Sequence, residues 1–171
     1  MAKRNLAVAA GCVFALAACA HSGNADSTGS PQIARVGGPA PAWTETSLPG
    51  PTLSLAGLRG KAVYLNFFAT WCPPCNAEAQ AINDIARTYG GKGLQVVGVD
   101  VLENAHKAAE FRDQHHLLYP VVVDDGALRD QYRVDGLPVH VFIDRGGIVR
   151  RVVVGEMSPA EMQSNAERIL H

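Results

Sequence analysis

The hydrophobic positions of this chain repeat with two different periods. Ala62 to Phe68 is a near-continuous apolar run containing Val, Tyr and Phe, the pattern of a central strand buried on both faces. From Cys75 to Tyr89 the apolar residues Ala81, Ile82, Ile85, Ala86 and Tyr89 recur at helical spacing. Pro73 and Pro74 suit the first turn of that helix, where a missing N–H costs little, and Gly90-Gly91 is expected to end it. Leu94 to Val101 reads as the next strand, Asn104 to about His116 as a helix, Tyr119 to Val123 as a short strand and Ala127 to Tyr132 as a short helix. Pro138 to Ile143 and Ile148 to Val154 flank Asp144-Arg145-Gly146-Gly147, which predicts a hairpin. Ser158 then caps a last helix with Pro159 at its first position, and Glu161 completes a capping box. Upstream there is only a short extended stretch at Leu53 to Leu55 and a turn at Gly57 to Gly60. Alternating strands and helices that close on a hairpin and a helix imply an α/β fold, a central mixed sheet flanked by helices.

The N-terminus follows different rules. Lys3 and Arg4 precede an apolar run from Leu6 to Ala18 that is too short to span a bilayer, the pattern of a secretory signal over residues 1–18. The run ends Leu16-Ala17-Ala18-Cys19, which resembles the cleavage box of bacterial lipoproteins, with Cys19 as the lipid attachment site and new N-terminus. Ala20, rather than Asp, after that cysteine resembles sorting to the outer membrane where the envelope has two membranes. Residues 19–42, rich in Gly, Ser, Pro and Ala without apolar periodicity, read as a flexible tether, and 43–171 as one domain.

Composition narrows the function. The 171 residues are 47% hydrophobic, enough for one domain with its own core. Without Lys3 and Arg4 the chain keeps 13 basic against 16 acidic residues, has no basic run and no Gly-rich phosphate loop, so neither nucleic acid nor nucleotide is expected as a partner. Signal removal takes Cys12 and lipidation takes Cys19, which leaves only Cys72 and Cys75. Two intervening residues close too small a loop for a structural staple, so the pair is there for chemistry.

A strand that delivers Cys-x-x-Cys to a helix start places the first thiol at free N–H groups and the positive end of the helix dipole. Cys72 is therefore the expected nucleophile, and Cys75 the thiol that resolves the mixed disulfide. Half of a zinc site is the competing use of such a pair, but only histidines remain to supply its other ligands. Neither Pro73 nor Pro74 can donate an N–H to the Cys72 sulfur, which points to modest thiolate stabilisation and a potential on the reducing side. Beyond the Cys72-Cys75 disulfide itself no cofactor or metal is expected.

The segment Tyr64-Leu65-Asn66-Phe67-Phe68-Ala69-Thr70-Trp71-Cys72-Pro73-Pro74-Cys75 resembles the signature of the TlpA and ResA group of bacterial envelope thioredoxin-like proteins. Gly136-Leu137-Pro138-Val139-His140-Val141-Phe142-Ile143-Asp144 resembles the segment that carries their cis-proline, and the likeness runs loosely over residues 50–170. It implies a thioredoxin-like fold with an extra helix and strand at about 104–123, and cis geometry at Pro138, where the sequence by itself allows a trans edge-strand proline. It also implies reduction of envelope protein disulfides, apocytochrome c among the candidate clients, with electrons from a membrane thiol reductase. Glu78 takes on two meanings. By position it is an acidic side chain in the first turns of a helix, favoured by the dipole and solvated; by resemblance to the family's Cys-x-x-Cys-x-x-Glu pattern it is a partly buried carboxylate of raised pKa that exchanges a proton with Cys75. Asn66 stands where thioredoxins proper carry a buried Asp, and Gln80 where the family usually has Pro. Trp71 and Leu137, beside Cys72 and Pro138, are expected either to pack or to form an apolar rim that positions substrate.

Two rivals follow from the same residues. A copper-binding or copper-delivery domain would use Cys72, Cys75 and His140, since thiolate and imidazole suit copper, although the folds that do so space their cysteines by three residues. A peroxidase would need a Thr three residues before the attacking cysteine and a Pro upstream, whereas Thr70 precedes Cys72 by two and residues 61–70 lack Pro. His106, His115 and His116 fall on an expected surface helix and receive no role.

Overall fold

The computed structural model describes residues 32–171. The signal segment, Cys19 and the first part of the expected tether lie outside the described residues. Seven strands form one mixed sheet: β1 (Thr44–Leu48), β2 (Thr52–Ser54), β3 (Ala62–Phe68), β4 (Leu94–Val101), β5 (Val121–Asp124), β6 (Val139–Ile143) and β7 (Val149–Val154), in spatial order β2-β1-β5-β4-β3-β6-β7. β3, β4 and β5 run parallel, and β1, β2, β6 and β7 join antiparallel to their neighbours. Every residue of β3 is buried, as its unbroken apolar run requires.

Side-chain alternation along β3 sorts the core into two layers. Ala62, Tyr64 and Phe68 face α1 (Pro73–Tyr89), α2 (Ala105–Gln114) and α4 (Pro159–Leu170), meeting Ile82, Phe111 and Met162 among others. Val63, Leu65 and Phe67 face α3 (Ala127–Tyr132) and the N-terminal segment, meeting Leu128, Tyr132, Trp43 and Ala40. The six residues of α3 cannot cover that layer alone, so the chain before β1 completes it. Ala34 N–H donates to Gln131 O, Gly37 N–H to Val149 O and Ala40 N–H to Gly147 O. The expected boundary at residue 43 therefore comes too late: residues 34–42 are docked onto the hairpin and α3, and the Gly-Pro-Ala composition that suggested a tether there reflects an irregular segment fixed by backbone bonds.

Smaller departures have local causes. α1 passes Gly90 and Gly91 in a 3₁₀ turn, and the left-handed residue that turns the chain is Gly93, with φ 96°. β1 carries no strand signal in the sequence because four of its five residues, Thr44 to Ser47, are polar, fitting its place next to the edge strand β2. The hairpin, the α2–β5 insertion and the Ser158–Glu161 capping box are all present.

Candidate active site

β3 ends at Phe68, and the chain turns through Thr70 and Trp71 to Cys72, which caps α1. Pro73 and Pro74 occupy the first two helical positions, so Cys75 provides the first N–H of α1, and it donates to the Cys72 sulfur at 3.3 Å. Cys72 and Cys75 form a disulfide and are both buried. The Leu137-Pro138 bond is cis, as the resemblance implies.

The turn that presents Cys72 is held by side chains on two sides. Glu103, just before α2, accepts from the Thr70 N–H at 2.5 Å and from the Thr70 hydroxyl at 2.7 Å. From α1, the Asn76 amide donates to the carbonyls of Thr70 (2.9 Å) and Cys72 (2.8 Å). Both Asn76 hydrogens are thus used, so its oxygen is free to accept from His115 Nε2 at 3.0 Å. His115 also packs on Phe111, and burial lowers its pKa below the usual value. His115, expected to be an idle surface residue, is part of this clamp.

Behind Cys75 lies a second polar group. Glu78 is buried; its Oε1 accepts from the Met157 N–H, and its Oε2 lies 3.4 Å from His140 Nε2. The fully buried His140 ring places Nδ1 2.8 Å from the Tyr64 hydroxyl and 3.5 Å from the Asn66 amide. Burial, with Tyr119 and Glu78 nearby, pushes the Tyr64 hydroxyl well above its ordinary value, so it remains a donor. Two donors on Nδ1 leave the imidazole proton on Nε2, yet neither Nε2 nor the neighbouring Glu78 Oε2 has a hydrogen-bond partner among the described residues. The solvated alternative for Glu78 is therefore excluded. Copper ligation by Cys72, Cys75 and His140 also loses its third ligand, because His140 Nδ1 is engaged by Tyr64 and Nε2 lies on Glu78, 3.4 Å from its Oε2. Among the described residues no group of three or more His, Cys, Asp or Glu side chains could hold a metal ion.

In front of the disulfide a groove of about 250 Å³ runs between Trp71, Leu102 and Leu137, with Val134 and Arg129 in its wall. Trp71 is 62% exposed and Leu102 65% exposed, so neither is core, and the packed alternative for Trp71 falls away. Large apolar side chains left in water beside a reactive disulfide form a surface for a partner chain.

A strand-delivered disulfide capping a helix, a cis-proline beside it and an apolar groove in front make an apparatus for exchange with another disulfide. The model of the AhpC/TSA family matches residues 36–152. The chain belongs to that family. Within it, this redoxin is 32% identical over 136 residues to the thiol-disulfide oxidoreductase ResA of Bacillus cereus and 33% identical over 135 residues to that of Geobacillus kaustophilus. The first match covers 79% of each chain and the second 78%. Among solved structures, a putative thiol:disulfide interchange protein DsbE from Chlorobium tepidum superposes with a TM-score of 0.76 at 28% identity, over 81% of this chain and 99% of that one. The redoxin is a thiol-disulfide oxidoreductase of thioredoxin-like fold.

Asp100, Glu103, Asn76 and His140 were not singled out as site residues for exchange. Two of them carried a signal: an Asp inside Leu94–Val101 and a His inside Pro138–Ile143 are polar residues in apolar strands, and such groups are buried for a reason. Glu103 and Asn76 carried none.

Proposed function

We propose that this redoxin is a lipid-anchored reductase of protein disulfides in the bacterial envelope, with Cys72 attacking, Cys75 resolving and Glu78 managing the proton of Cys75. The observation that carries the reading is the poor thiolate environment of Cys72. One N–H reaches its sulfur, Pro73 and Pro74 can offer none, and the acidic groups near the pair in the fold are Glu103, bound to Thr70 two residues before Cys72, and buried Glu78, three residues after Cys75. A weakly stabilised thiolate favours the disulfide over the dithiol and thus electron donation.

In the forward direction the Cys72 thiolate attacks a client disulfide and expels one client thiolate. Cys75 gives its proton to Glu78 and attacks the Cys72 sulfur, so the second client thiolate leaves and the two electrons of the dithiol have passed to the client. His140, its Nε2 3.4 Å from Glu78 Oε2, stands beside the carboxylate that must receive that proton. Trp71, Leu137 and Pro138 position the client strand over Cys72. The similarity to ResA and DsbE supports protein-disulfide clients and redox partners outside the cytoplasm; in this reading apocytochrome c is a client, and a membrane thiol reductase returns Cys72-Cys75 to the dithiol. Cys19 would hold the domain at the membrane, the outer one where there are two; no described helix is long and apolar enough to cross a bilayer.

The test is the reduction potential of Cys72-Cys75 in defined dithiol buffers. A value near thioredoxin's, roughly −270 mV, fits a reductase, while one near −120 mV would make the protein a disulfide donor. Loss of fatty-acid labelling in Cys19→Ser tests the anchor separately.

A further inference from the structure

Asp100 is fully buried near the end of β4, and neither of its carboxylate oxygens meets a donor. It is in register with Phe68 of β3 and Val123 of β5, on the sheet face that also carries the disulfide and Phe111. Among the described residues the titratable side chain that acts on it is Glu103, three residues on. The other charged groups nearby are directed elsewhere. On α2, His106 and Lys107 are exposed and paired with Glu110, and Arg129 across the groove is bonded to Asp130. Asp124 of β5 accepts from the N–H groups of Leu128 and Arg129. From β3 and α1 the same cluster receives only apolar side chains and the two cysteines.

Glu103 has both oxygens committed to Thr70, so it acts as the acceptor and thus as the carboxylate. Asp100 cannot be charged beside it without a donor of its own. Protonated, it has a hydrogen to offer, and Glu103, the carboxylate whose charge acts on it, is the acceptor at hand. The intervening backbone is shaped for this contact: Leu102 adopts a left-handed conformation, φ 67°, uncommon for a bulky residue, and so turns Glu103 back to Thr70 while its own side chain enters the groove.

We infer that Asp100 and Glu103 form a one-proton carboxyl pair that positions Cys72, with Asp100 holding the proton, Glu103 holding Thr70, and the Thr70–Cys72 turn set by that grip. Both are positioning residues, since neither touches the disulfide. When the proton leaves, two facing carboxylates repel, Glu103 withdraws, and the turn that presents Cys72 loosens. Burial and the Glu103 charge raise the Asp100 pKa to about 8, which places the loosening at the alkaline edge of neutrality.

The wild-type chain permits a direct test by ¹³C NMR titration of the aspartate carboxyls together with the Thr70 amide. One aspartate is expected to titrate near pH 8, and the Thr70 amide to move with the same midpoint. A Thr70 amide that ignores pH between 6 and 9 overturns the inference. In reduced protein, the alkylation rate of Cys72 should show, besides the titration of the thiol, a second inflection near pH 8. Asp100→Asn keeps an N–H donor for Glu103 and should remove that inflection while leaving the rate at pH 6 within about twofold. Glu103→Gln should slow exchange with a small aromatic disulfide by about tenfold, the scale of a modest misplacement of reacting atoms. An inflection unchanged in Asp100→Asn would exclude the pair. None of these readouts depends on the client or on the net direction of exchange, so they stand or fall apart from the proposed reductase role.

Discussion

The two buried carboxyl groups on either side of the redox centre are treated in opposite ways by the fold. Glu78, behind Cys75, meets a backbone N–H from Met157 and the Nε2 edge of His140. Asp100, near the end of β4, has no donor on either oxygen, and the charge that acts on it is that of another carboxyl group. A carboxylate with one oxygen held by a backbone N–H and the other free beside an imidazole can take and return a proton, whereas one under the charge of a second carboxylate and without a donor keeps its proton until the solution removes it. The difference suggests a division of labour: the first site serves a proton that moves in each turnover, the second a proton that stays put and holds a turn in shape.

The strongest way to break that comparison is to remove proton exchange at Glu78 alone. Glu78→Gln retains an oxygen for the Met157 N–H and should lengthen the lifetime of the Cys72-client mixed disulfide about a hundredfold at pH 7, the lower range for a lost general base. Quenched-flow trapping of the mixed disulfide measures this, and alkylation of Cys72 should change less than about twofold. Equal slowing of both would show that Glu78 merely shapes the site.

Next in size is the support behind Glu78. His140→Val leaves the Tyr64 hydroxyl and the Asn66 amide buried without their Nδ1 partner. A loss of about 2–3 kcal/mol in denaturant unfolding is expected, the usual cost of orphaned buried polar groups. A loss below about 0.5 kcal/mol would mean that water replaces the ring freely.

The Asp100 side makes a prediction in pH. Its folded pKa of about 8 lies above the unfolded value near 3.8, so the folded state binds the extra proton between these limits and stability falls as pH rises through them. His115, whose pKa is lowered, works in the opposite direction below about 6.5, so the clean window is about 6.5 to 8. There the wild type should lose roughly 1–2 kcal/mol, given a limit of about 1.4 kcal/mol per pH unit for one proton. Asp100→Asn should be nearly flat over the same range in urea titrations. A wild-type slope of zero would sever the comparison at its root.

How far the sequence discloses this arrangement depends on the kind of contact. The disulfide, its helix, the buried strand before it and the closing hairpin are legible because each is written in adjacent residues: an unbroken apolar run, Cys-Pro-Pro-Cys, a turn between alternating strands, a capping box. Glu78 is legible through its spacing from Cys75. The Glu103–Thr70, Asn76–His115 and Glu78–His140 contacts join residues 33, 39 and 62 positions apart, and spacing says nothing about them. Asp100 and His140 were visible as anomalies in apolar strands, but an anomaly does not name its partner. The docking of residues 34–42 was hidden for a related reason: its backbone bonds reach the hairpin more than a hundred residues away, and backbone bonds leave no side-chain pattern.

The smallest expected effect sharpens the comparison most. Thr70→Val deletes the hydroxyl that donates to Glu103 but leaves the shape of the side chain and the N–H bond. At pH 6, with Asp100 protonated and Glu103 in place, the loss should be about 1 kcal/mol, a typical net worth for one hydrogen bond. At pH 9 the grip on Thr70 is already relaxed, so the same substitution should cost almost nothing. In an Asp100→Asn background, where no proton can leave, the cost should be about 1 kcal/mol at both pH values. A double-mutant cycle run at the two pH values therefore separates a permanent Glu103–Thr70 bond, which costs the same everywhere, from one held by the proton on Asp100, whose cost vanishes at alkaline pH only while that aspartate is present.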